Sequence, residues 1–286
     1  MKSVFAFLSL TILSAAAQEI VPIWPDLAPG ETTKSRGEVR AERAKEKRKI
    51  TRITGVTQPT LSPYLVEEEG KKPGVIILPG GGFNYVVPNL EGSEAAEILN
   101  KAGVNAFVLH YRTKKGEEDA QPWQRALQDS QRAVRFVRAH AERFGIHPKK
   151  VGILAFSAGG QVGAMHLGGI GAQYETVDEV DQQDFRPAFG MLVYPWRTMN
   201  EEDGTLLPQI QFNEQTPPTF IVHTGDDNST SLGPLEMYRQ LKVLKCPVEL
   251  HLFERGGHGY GTRPRGTLGI GKWSELATAW LDSRWR

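Results

Sequence analysis

The pattern of apolar residues changes near Ile50, and from there it predicts an orderly succession of elements. Residues 50–56 and 60–66 alternate apolar and β-branched residues, which is typical of strands, and we expect two antiparallel edge strands there. After them, short continuous apolar runs alternate with segments in which apolar residues recur every three or four positions. Continuous apolar runs of this length predict strands that are buried on both faces of a parallel sheet.

The alternating part of the chain defines the predicted fold. Continuous apolar runs predict strands at 74–78, 104–110, 151–156, 189–194, 219–223 and 248–253. Helical periodicity predicts helices at 94–102, 123–144, 235–244 and 273–284, and another that begins near Gly160. A β-only start followed by strands alternating with helices predicts an α/β fold, with a mostly parallel central sheet and helices on both faces.

The beginning of the chain does not share this pattern. Lys2, the apolar run at 4–13 and the alanines at 15–17 match a secretory signal peptide. We therefore expect cleavage after Ala17 and export to the periplasm or the medium. The apolar run is too short to span a bilayer, so we expect no membrane attachment once the leader has been removed.

An N-terminal extension lies between the predicted leader and Ile50. Residues 18–30 are proline-rich, and we expect them to lie extended over the surface. Residues 34–49 interleave basic residues with glutamates, as a solvated helix or a linker does. The predicted organisation is a signal peptide at 1–17, an N-terminal extension at 18–49 and the α/β domain at 50–286.

Composition narrows the classes of partner. The 286 residues carry 34 basic and 33 acidic side chains, so the nearly neutral chain offers no electrostatic surface for nucleic acid or an anionic membrane. Cys246 is the only cysteine, which leaves no internal disulfide. The sequence has neither an HExxH pattern nor paired cysteines, so we expect no metal and no other cofactor.

The first candidate catalytic residue, Ser157, directly follows the predicted strand at 151–156. The small residues Ser157-Ala158-Gly159-Gly160 suit a sharp turn into a helix, and such a turn holds the serine hydroxyl above the strand ends. The pattern is G-x-S-x-G, except that Ala155 replaces the first glycine. A serine hydroxyl is a poor nucleophile near neutral pH, so it needs a base and an acid that orients the base.

Two later loops supply such groups in the expected chain order. Asp226 and Asp227 follow the predicted strand at 219–223, and His258 follows the strand at 248–253 among glycines. Because the carboxyl ends of parallel strands meet at one edge of a sheet, we expect Ser157, the acid and His258 to converge there. Either aspartate can serve as the acid. We favour Asp226, which leaves Asp227 as a loop or capping residue.

A glycine run supplies a candidate site for a developing negative charge. Pro79-Gly80-Gly81-Gly82-Phe83 follows the strand at 74–78, where backbone N–H groups can approach a substrate closely. The N–H groups of Gly81, Gly82 and Ala158 are the predicted oxyanion hole, in which each donor stabilises the transition state by about 3 kcal/mol.

Together these motifs resemble those of the α/β-hydrolase superfamily. More closely, they are similar to bacterial secreted esterases of the acetylxylan and feruloyl esterase type, often grouped with dienelactone-hydrolase-like enzymes. The resemblance covers most of the mature chain and is carried by Trp24-Pro25, Ala28-Pro29-Gly30, Pro79–Phe83, Asn89-Leu90-Glu91-Gly92, Tyr111-Arg112, Phe156–Gly160, Tyr194-Pro195, Pro217-Pro218-Thr219-Phe220, Asp226-Asp227 and Gly257-His258-Gly259.

The resemblance implies hydrolysis of O-acetyl or feruloyl esters on plant-type polysaccharide or oligosaccharide such as xylan. In that family the first aspartate of the pair is the acid, which supports Asp226. Two departures are Ala155 and residues 228–232, where the family usually has a Val-Pro segment. The second departure leaves the acyl preference open.

We expect a serine carboxylesterase with a Ser157-His258-Asp226 triad and a fairly open site. Only 168–184 and 198–216 provide material for a cap, so little or no cap is predicted. The candidates for contacting the leaving group are Tyr85, Tyr194, Trp196 and Tyr260. The alternatives are a serine peptidase of prolyl-oligopeptidase-like type and a non-catalytic hydrolase-fold binding protein.

Overall fold

The computed structural model describes residues 19–44, 46, 49–116, 118–263, 266 and 269–284. The predicted signal peptide therefore lies outside the described residues. The strands are β1 (Val21–Pro22), β2 (Arg36–Val39), β3 (Ile53–Val56), β4 (Thr60–Tyr64), β5 (Lys72–Leu78), β6 (Asn105–His110), β7 (Ile146–Phe156), β8 (Gly190–Val193), β9 (Thr219–Thr224) and β10 (Val248–Phe253). The helices are α1 (Glu94–Lys101), α2 (Pro122–Ala139), α3 (Ser157–Leu167), α4 (Leu232–Val243) and α5 (Trp273–Asp282), with short helical turns at Asn89–Ser93, Glu179–Gln182 and Gly269–Lys272.

Eight of these strands form one sheet in the order β1-β4-β6-β5-β7-β8-β9-β10. Strand β4 runs antiparallel to both of its neighbours, and the pairs from β6 to β10 are all parallel. Leu78 lies beside Ala155, and Phe253 lies beside Thr224, so the loops that follow these strands leave the sheet side by side. The mostly parallel sheet predicted from the continuous apolar runs is confirmed.

The sheet is covered on both faces, as its apolar strands require. Ile76 and Leu78 point to a core that contains residues of α2, α3 and α4. Val75 and Ile77 point to the other core, which contains residues of α1 and α5. Within the described residues, no helix combines the length and the apolar character needed to cross a membrane.

The proline-rich segment does not simply lie over the surface: Val21, Ile23, Trp24 and Ala28 are buried, whereas residues 19, 20, 25–27 and 30 are exposed, so that expectation is wrong in part. Strand β1 pairs with β4 at the edge of the main sheet, and Ile23 and Trp24 are buried in its core. The Trp24 indole N–H donates to Asp129 Oδ1 at 3.0 Å, and the guanidinium of Arg112 contacts the same fully buried carboxylate. Burial is favourable here because the polar atom of the tryptophan has a charged partner inside the protein.

The charged segment at 34–49 contains a strand, which the sequence pattern did not predict. Strand β2 pairs with β3 in a separate two-stranded antiparallel sheet, whereas β4 joins the main sheet. Residues 50–56 and 60–66 are therefore not two paired edge strands. Ile53 exchanges both backbone hydrogen bonds with Val86, which attaches the small sheet to the segment that follows the glycine run.

Helix α3 lies unusually close to the sheet. A Cβ atom on Gly159 would lie 2.3 Å from the Leu78 carbonyl oxygen, so no side chain fits there. A Cβ atom on Gly163 would lie 2.7 Å from the Ala155 methyl group. Ala155 is therefore tolerated at the first position of the G-x-S-x-G pattern because Gly163 faces it.

We predict that Gly163→Ala destabilises the fold and that Ala155→Gly partly restores it. Overpacking at this contact costs about 1–3 kcal/mol of unfolding free energy. The measurement is urea unfolding of the two single variants and the double variant. Recovery is expected to be partial, since the new methyl group also lies 2.9 Å from Leu192 Cδ2. A Gly163→Ala variant as stable as the parent would contradict this packing argument.

Candidate active site

Ser157 occupies a strained turn between a strand and a helix. It is the first residue of α3, directly after β7, and its φ is +53°. A side chain other than glycine rarely adopts this left-handed conformation, and such residues cluster at functional sites. Phe156 before it is still extended, so the chain reverses at Ser157 itself. The sequence therefore predicted the elbow correctly.

A hydrogen-bonded line runs from Ser157 through His258 to an aspartate. Ser157 Oγ lies 2.7 Å from His258 Nε2, and His258 Nδ1 lies 2.7 Å from Asp227 Oδ2. The other oxygen of Asp227 accepts the Ser229 N–H at 2.7 Å. The Asp227 side chain is fully buried, whereas the imidazole is 26% exposed. The nucleophile and base predicted from sequence are thus in hydrogen-bond contact.

The favoured acid, Asp226, does not touch His258, and this choice is wrong. Its Oδ1 accepts the N–H groups of Gly257 at 2.8 Å and Gly256 at 2.9 Å. These backbone hydrogen bonds, that of Gly257 first, lower the pKa of the Asp226 carboxyl. Asp226 therefore shapes the loop that carries the base, and Asp227 contacts the imidazole.

A buried second histidine lies near the acid. His223 Nε2 lies 3.7 Å from Asp227 Oδ2, and its Nδ1 lies 3.0 Å from the Thr224 carbonyl oxygen. Burial lowers the pKa of His223, so its imidazole is neutral near neutral pH. A neutral ring leaves the negative charge of Asp227 available to His258. No pattern in the sequence singled out this residue.

The predicted oxyanion donors border the same nucleophile. Gly81 and Gly82 line one cleft together with Ser157 and His258. Both glycines have positive φ, and a Cβ on Gly81 would lie 1.9 Å from the Tyr85 carbonyl oxygen. Ala158 is the second residue of α3, where backbone N–H groups have no intrahelical acceptor. That these three groups bind an oxyanion stays a prediction.

The cleft beside Ser157 has a volume of about 390 Å³, and part of its lining comes from the segment that enters β3. It is lined by Ile50, Arg52, Gly81, Gly82, Asn84, Tyr85, Val87, Leu90, Glu91, Ser157, Trp196, His258 and Gly259. Neither 168–184 nor 198–216 contributes a residue to its lining. Of the four aromatic candidates, Tyr85 and Trp196 line the cleft, whereas Tyr194 and Tyr260 are buried.

Arg52 is a cleft residue that the sequence analysis missed. Its guanidinium forms two hydrogen bonds with Glu46, one of them 3.1 Å from Nη1 to Oε2. The guanidinium groups of Arg40 and Arg52 also lie 5.6 and 5.7 Å from the centre of the Tyr85 ring. This wall of the cleft therefore presents the Tyr85 ring, which two guanidinium groups contact, and Glu46 holds one of them, that of Arg52. Its only sequence signal was the mixture of arginines and glutamates before β3.

Among the described residues, no cluster of histidine, cysteine or carboxylate side chains has the arrangement of a metal site. The Asn228-Ser229-Thr230 pattern, which resembles a glycosylation acceptor, is part of the acid loop. Ser229 is buried, and its hydroxyl accepts the Arg197 N–H at 2.9 Å. This segment therefore serves to hold the loop beside Asp227.

Comparison with known proteins gives consistent matches. The profile of the BD-FAE family matches residues 63–188. An acetylxylan esterase of Xylanibacter ruminicola is 27% identical over 211 residues, which cover 65% of this chain. An acetyl ester-xyloside bifunctional hydrolase from Caldicellulosiruptor lactoaceticus is 26% identical, with a TM-score of 0.74 over 94% of this chain and 98% of that one. An α/β hydrolase enzyme from a Medee basin deep-sea metagenome library is 28% identical, with a TM-score of 0.64 over 82% and 97%.

The curated relatives are matched over a smaller share of their length than the solved structures are. The chain spans less than half the length of the curated relatives that it matches, namely 41% of the acetylxylan esterase and 34% of an endo-1,4-beta-xylanase B from Butyrivibrio fibrisolvens. The two solved structures are matched over most of their length. The likeness to them therefore extends over the fold as a whole.

The adjacent aspartates allow a matched test of the corrected site. We predict that Asp227→Asn lowers kcat by about 10³–10⁴-fold, because the amide cannot stabilise an imidazolium and favours the wrong tautomer. Asp226→Asn keeps an oxygen that can accept from Gly256 and Gly257, so its kcat is expected to fall less than about tenfold. Steady-state kinetics on an aryl acetate provide the measurement. If Asp226→Asn were the more damaging change, our assignment of the acid would be incorrect.

Proposed function

This chain is a member of the α/β-hydrolase superfamily, and on that basis we propose that it is a serine carboxylesterase that removes acyl groups from a plant-type polysaccharide such as xylan. The observation that carries the proposal is the line from Ser157 Oγ through His258 to Asp227, with 2.7 Å at each step. The line ends in a glycine-lined cleft, which is what acyl transfer from an ester requires.

The proposed reaction has two halves. His258 Nε2 takes the proton of Ser157 Oγ as the oxygen bonds to the acyl carbon. The tetrahedral intermediate collapses, the carbon–oxygen bond to the sugar breaks, and His258 returns the proton to the leaving sugar oxygen. A water molecule then gives a proton to His258 and attacks the acyl group. The acid leaves, and Ser157 regains its proton. Asp227 orients the imidazole and stabilises its charged form in both halves.

Negative charge on the tetrahedral oxygen needs fixed donors. We assign this role to the N–H groups of Gly81, Gly82 and Ala158, each stabilising the transition state by about 3 kcal/mol. The positive end of the α3 dipole lies at the same place, because Ser157 begins an 11-residue helix. These donors act by position alone, so the reaction needs no cofactor.

The shape of the cleft supports a carbohydrate substrate. Tyr85 and Trp196 provide apolar rings, and Asn84 and Arg52 provide polar groups beside them. Such a combination suits a sugar ring, which has apolar faces and a polar edge. Because no cap residue lines the cleft, a side group of a long polymer can reach Ser157. The relatives, an acetylxylan esterase and an acetyl ester-xyloside bifunctional hydrolase, favour acetyl esters, with feruloyl esters as the second candidate.

Neither alternative function is supported by a specific feature of the site. We further propose that the enzyme acts after export, with cleavage after Ala17, on the strength of the leader-like beginning of the sequence. A polymer that cannot enter a cell fits this location.

We predict that Ser157→Ala lowers kcat on an aryl acetate by about 10⁴-fold or more, since loss of the nucleophile disables the whole triad. The same variant is expected to lose labelling by a fluorophosphonate, which forms a covalent bond with an activated serine. The parent protein serves as the control in both assays. A loss smaller than about a hundredfold would argue against Ser157 as the nucleophile.

We predict that Trp196→Ala weakens action on the polymer and spares small esters. The expected kcat/KM for acetate release from acetylated xylan falls by about tenfold, because a ring in contact with the sugar is lost. On an aryl acetate, which does not reach the ring, kcat/KM is expected to stay within about twofold. Measuring acetate against ferulate release from native xylan with the parent enzyme then identifies the acyl group. Equal losses on both substrates would contradict the placement of the sugar beside Trp196.

A further inference from the structure

We infer that Glu91 is a positioning residue: it links the glycine run at 80–82 to the loop that carries His258, and its carboxylate places a negative charge near that imidazole. This inference rests on the proposed roles of Ser157 and His258. The motif Asn89-Leu90-Glu91-Gly92 otherwise has no part in the proposed chemistry.

Glu91 holds the glycine run by accepting a hydrogen bond from the backbone N–H group of Gly80, the first glycine of the run. Its Oε2 accepts the Gly80 N–H at 2.7 Å, and the side chain is 4% exposed where it borders the cleft. A Cβ on Gly80 would lie 2.6 Å from Ser157 Cβ and 2.7 Å from Glu91 Oε2. Gly80 is thus clamped between the carboxylate and the nucleophile. Because Glu91 occupies the Gly80 N–H, the next two N–H groups are those left for an oxyanion.

The second oxygen of Glu91 is connected through Tyr194 to the loop that carries His258. Tyr194 O–H donates to Glu91 Oε1 at 2.7 Å and accepts the Gly261 N–H at 3.0 Å. The Tyr194 ring also packs edge-on against the His258 ring, with their centres 5.0 Å apart. One continuous line, Gly80–Glu91–Tyr194–Gly261, therefore joins the two loops and passes beside the base.

The bonding pattern suits an ionised Glu91. Each of its oxygens accepts a hydrogen bond from a donor, and a protonated carboxyl would need an acceptor in place of one of them. The pKa of Glu91 is nevertheless raised, because burial outweighs the hydrogen bonds from Tyr194 and Gly80 and the nearby charge of His258. The other titratable neighbours of this cluster are Tyr111, whose pKa is raised by burial, and Tyr260, whose ring packs edge-on against that of Tyr194.

A strained backbone supports a role beyond packing. Tyr194 directly follows β8 and has a φ of +38°, which a side chain other than glycine adopts only at an energetic cost. The fold accepts this strain at the residue whose hydroxyl links Glu91 to Gly261. Strain that persists at a buried junction beside a candidate base is characteristic of a functional constraint.

The test uses two variants that preserve shape. Glu91→Gln removes the charge and one acceptor, and Tyr194→Phe removes the link but keeps the ring beside His258. Glu97→Gln, an exposed change on α1, is the matched control. On an aryl acetate we expect kcat to fall by about ten- to a hundredfold in each of the two variants, with KM within about threefold and the control unchanged. The double variant is expected to lose no more than the worse single variant, because both interrupt one line.

A pH profile separates positioning from mere stabilisation of the fold. Replacing Glu91 by glutamine removes a negative charge that favours the imidazolium, and it removes a carboxyl whose protonation breaks the line. Both effects move the acid limb of kcat/KM in the same direction, to lower pH, by about half a unit. Tyr194→Phe keeps the charge, so its acid limb is expected to move less. A purely structural role would leave the acid limb where it is.

A folded Glu91→Gln variant with kcat within about twofold of the parent and an unshifted acid limb would overturn the inference. If Glu91→Gln does not fold, Tyr194→Phe decides, and near-parental kcat in that variant would overturn it equally.

The rate of Ser157 labelling by a fluorophosphonate distinguishes this inference from the proposed function. Labelling depends on the triad and the oxyanion donors, not on acyl group or sugar. If the parent is labelled but hydrolyses no ester, the proposed function fails, and slower labelling of the two variants still supports Glu91. A parent that is not labelled at all would overturn both.

Discussion

The left-handed backbone at Ser157 is the constraint on which the rest of the site depends. A chain that reverses within one residue must start α3 directly above the end of β7, in contact with the neighbouring strand. No side chain then fits at Gly159, because the Leu78 carbonyl oxygen occupies its place. The same closeness brings Gly80 against Ser157, so the nucleophile and the glycine run are positioned by one packing contact. The aspartate and histidine loops join them because β8, β9 and β10 follow β7 in register across the sheet.

Much of this was predictable because the signals are local. Continuous apolar runs are needed by strands covered on both faces, and the strands from β5 to β10 were each predicted within a few residues except for the early start of β7. Ser157 and His258 were identified because a strained turn needs small neighbours, and these leave a sequence pattern. The order of loops along one sheet edge then follows from parallel topology alone.

The features that the sequence did not predict depend on contacts between residues that lie far apart in the sequence. Asp226 and Asp227 are chemically identical, and one residue of loop geometry decides which of them faces the imidazole. Trp24 looked exposed beside its prolines, because its partner Asp129 lies 105 positions away. Glu91 belongs to a motif that carries the family resemblance, but that motif does not reveal its contacts with Gly80 and Tyr194, which approach it only in the folded chain.

The two-stranded sheet of β2 and β3 is separate from the sheet whose strands lead into Ser157, Asp227 and His258. It lies outside the eight-stranded sheet and is joined through the Ile53–Val86 bridge to the segment that follows the glycine run, and the segment that enters β3 contributes Ile50 and Arg52 to the cleft. This part of the cleft lining therefore comes from a different part of the chain than the line from Ser157 through His258 to Asp227. Substitutions at Ile50 or Arg52 can consequently change which groups fit beside Ser157 without replacing any residue of that line.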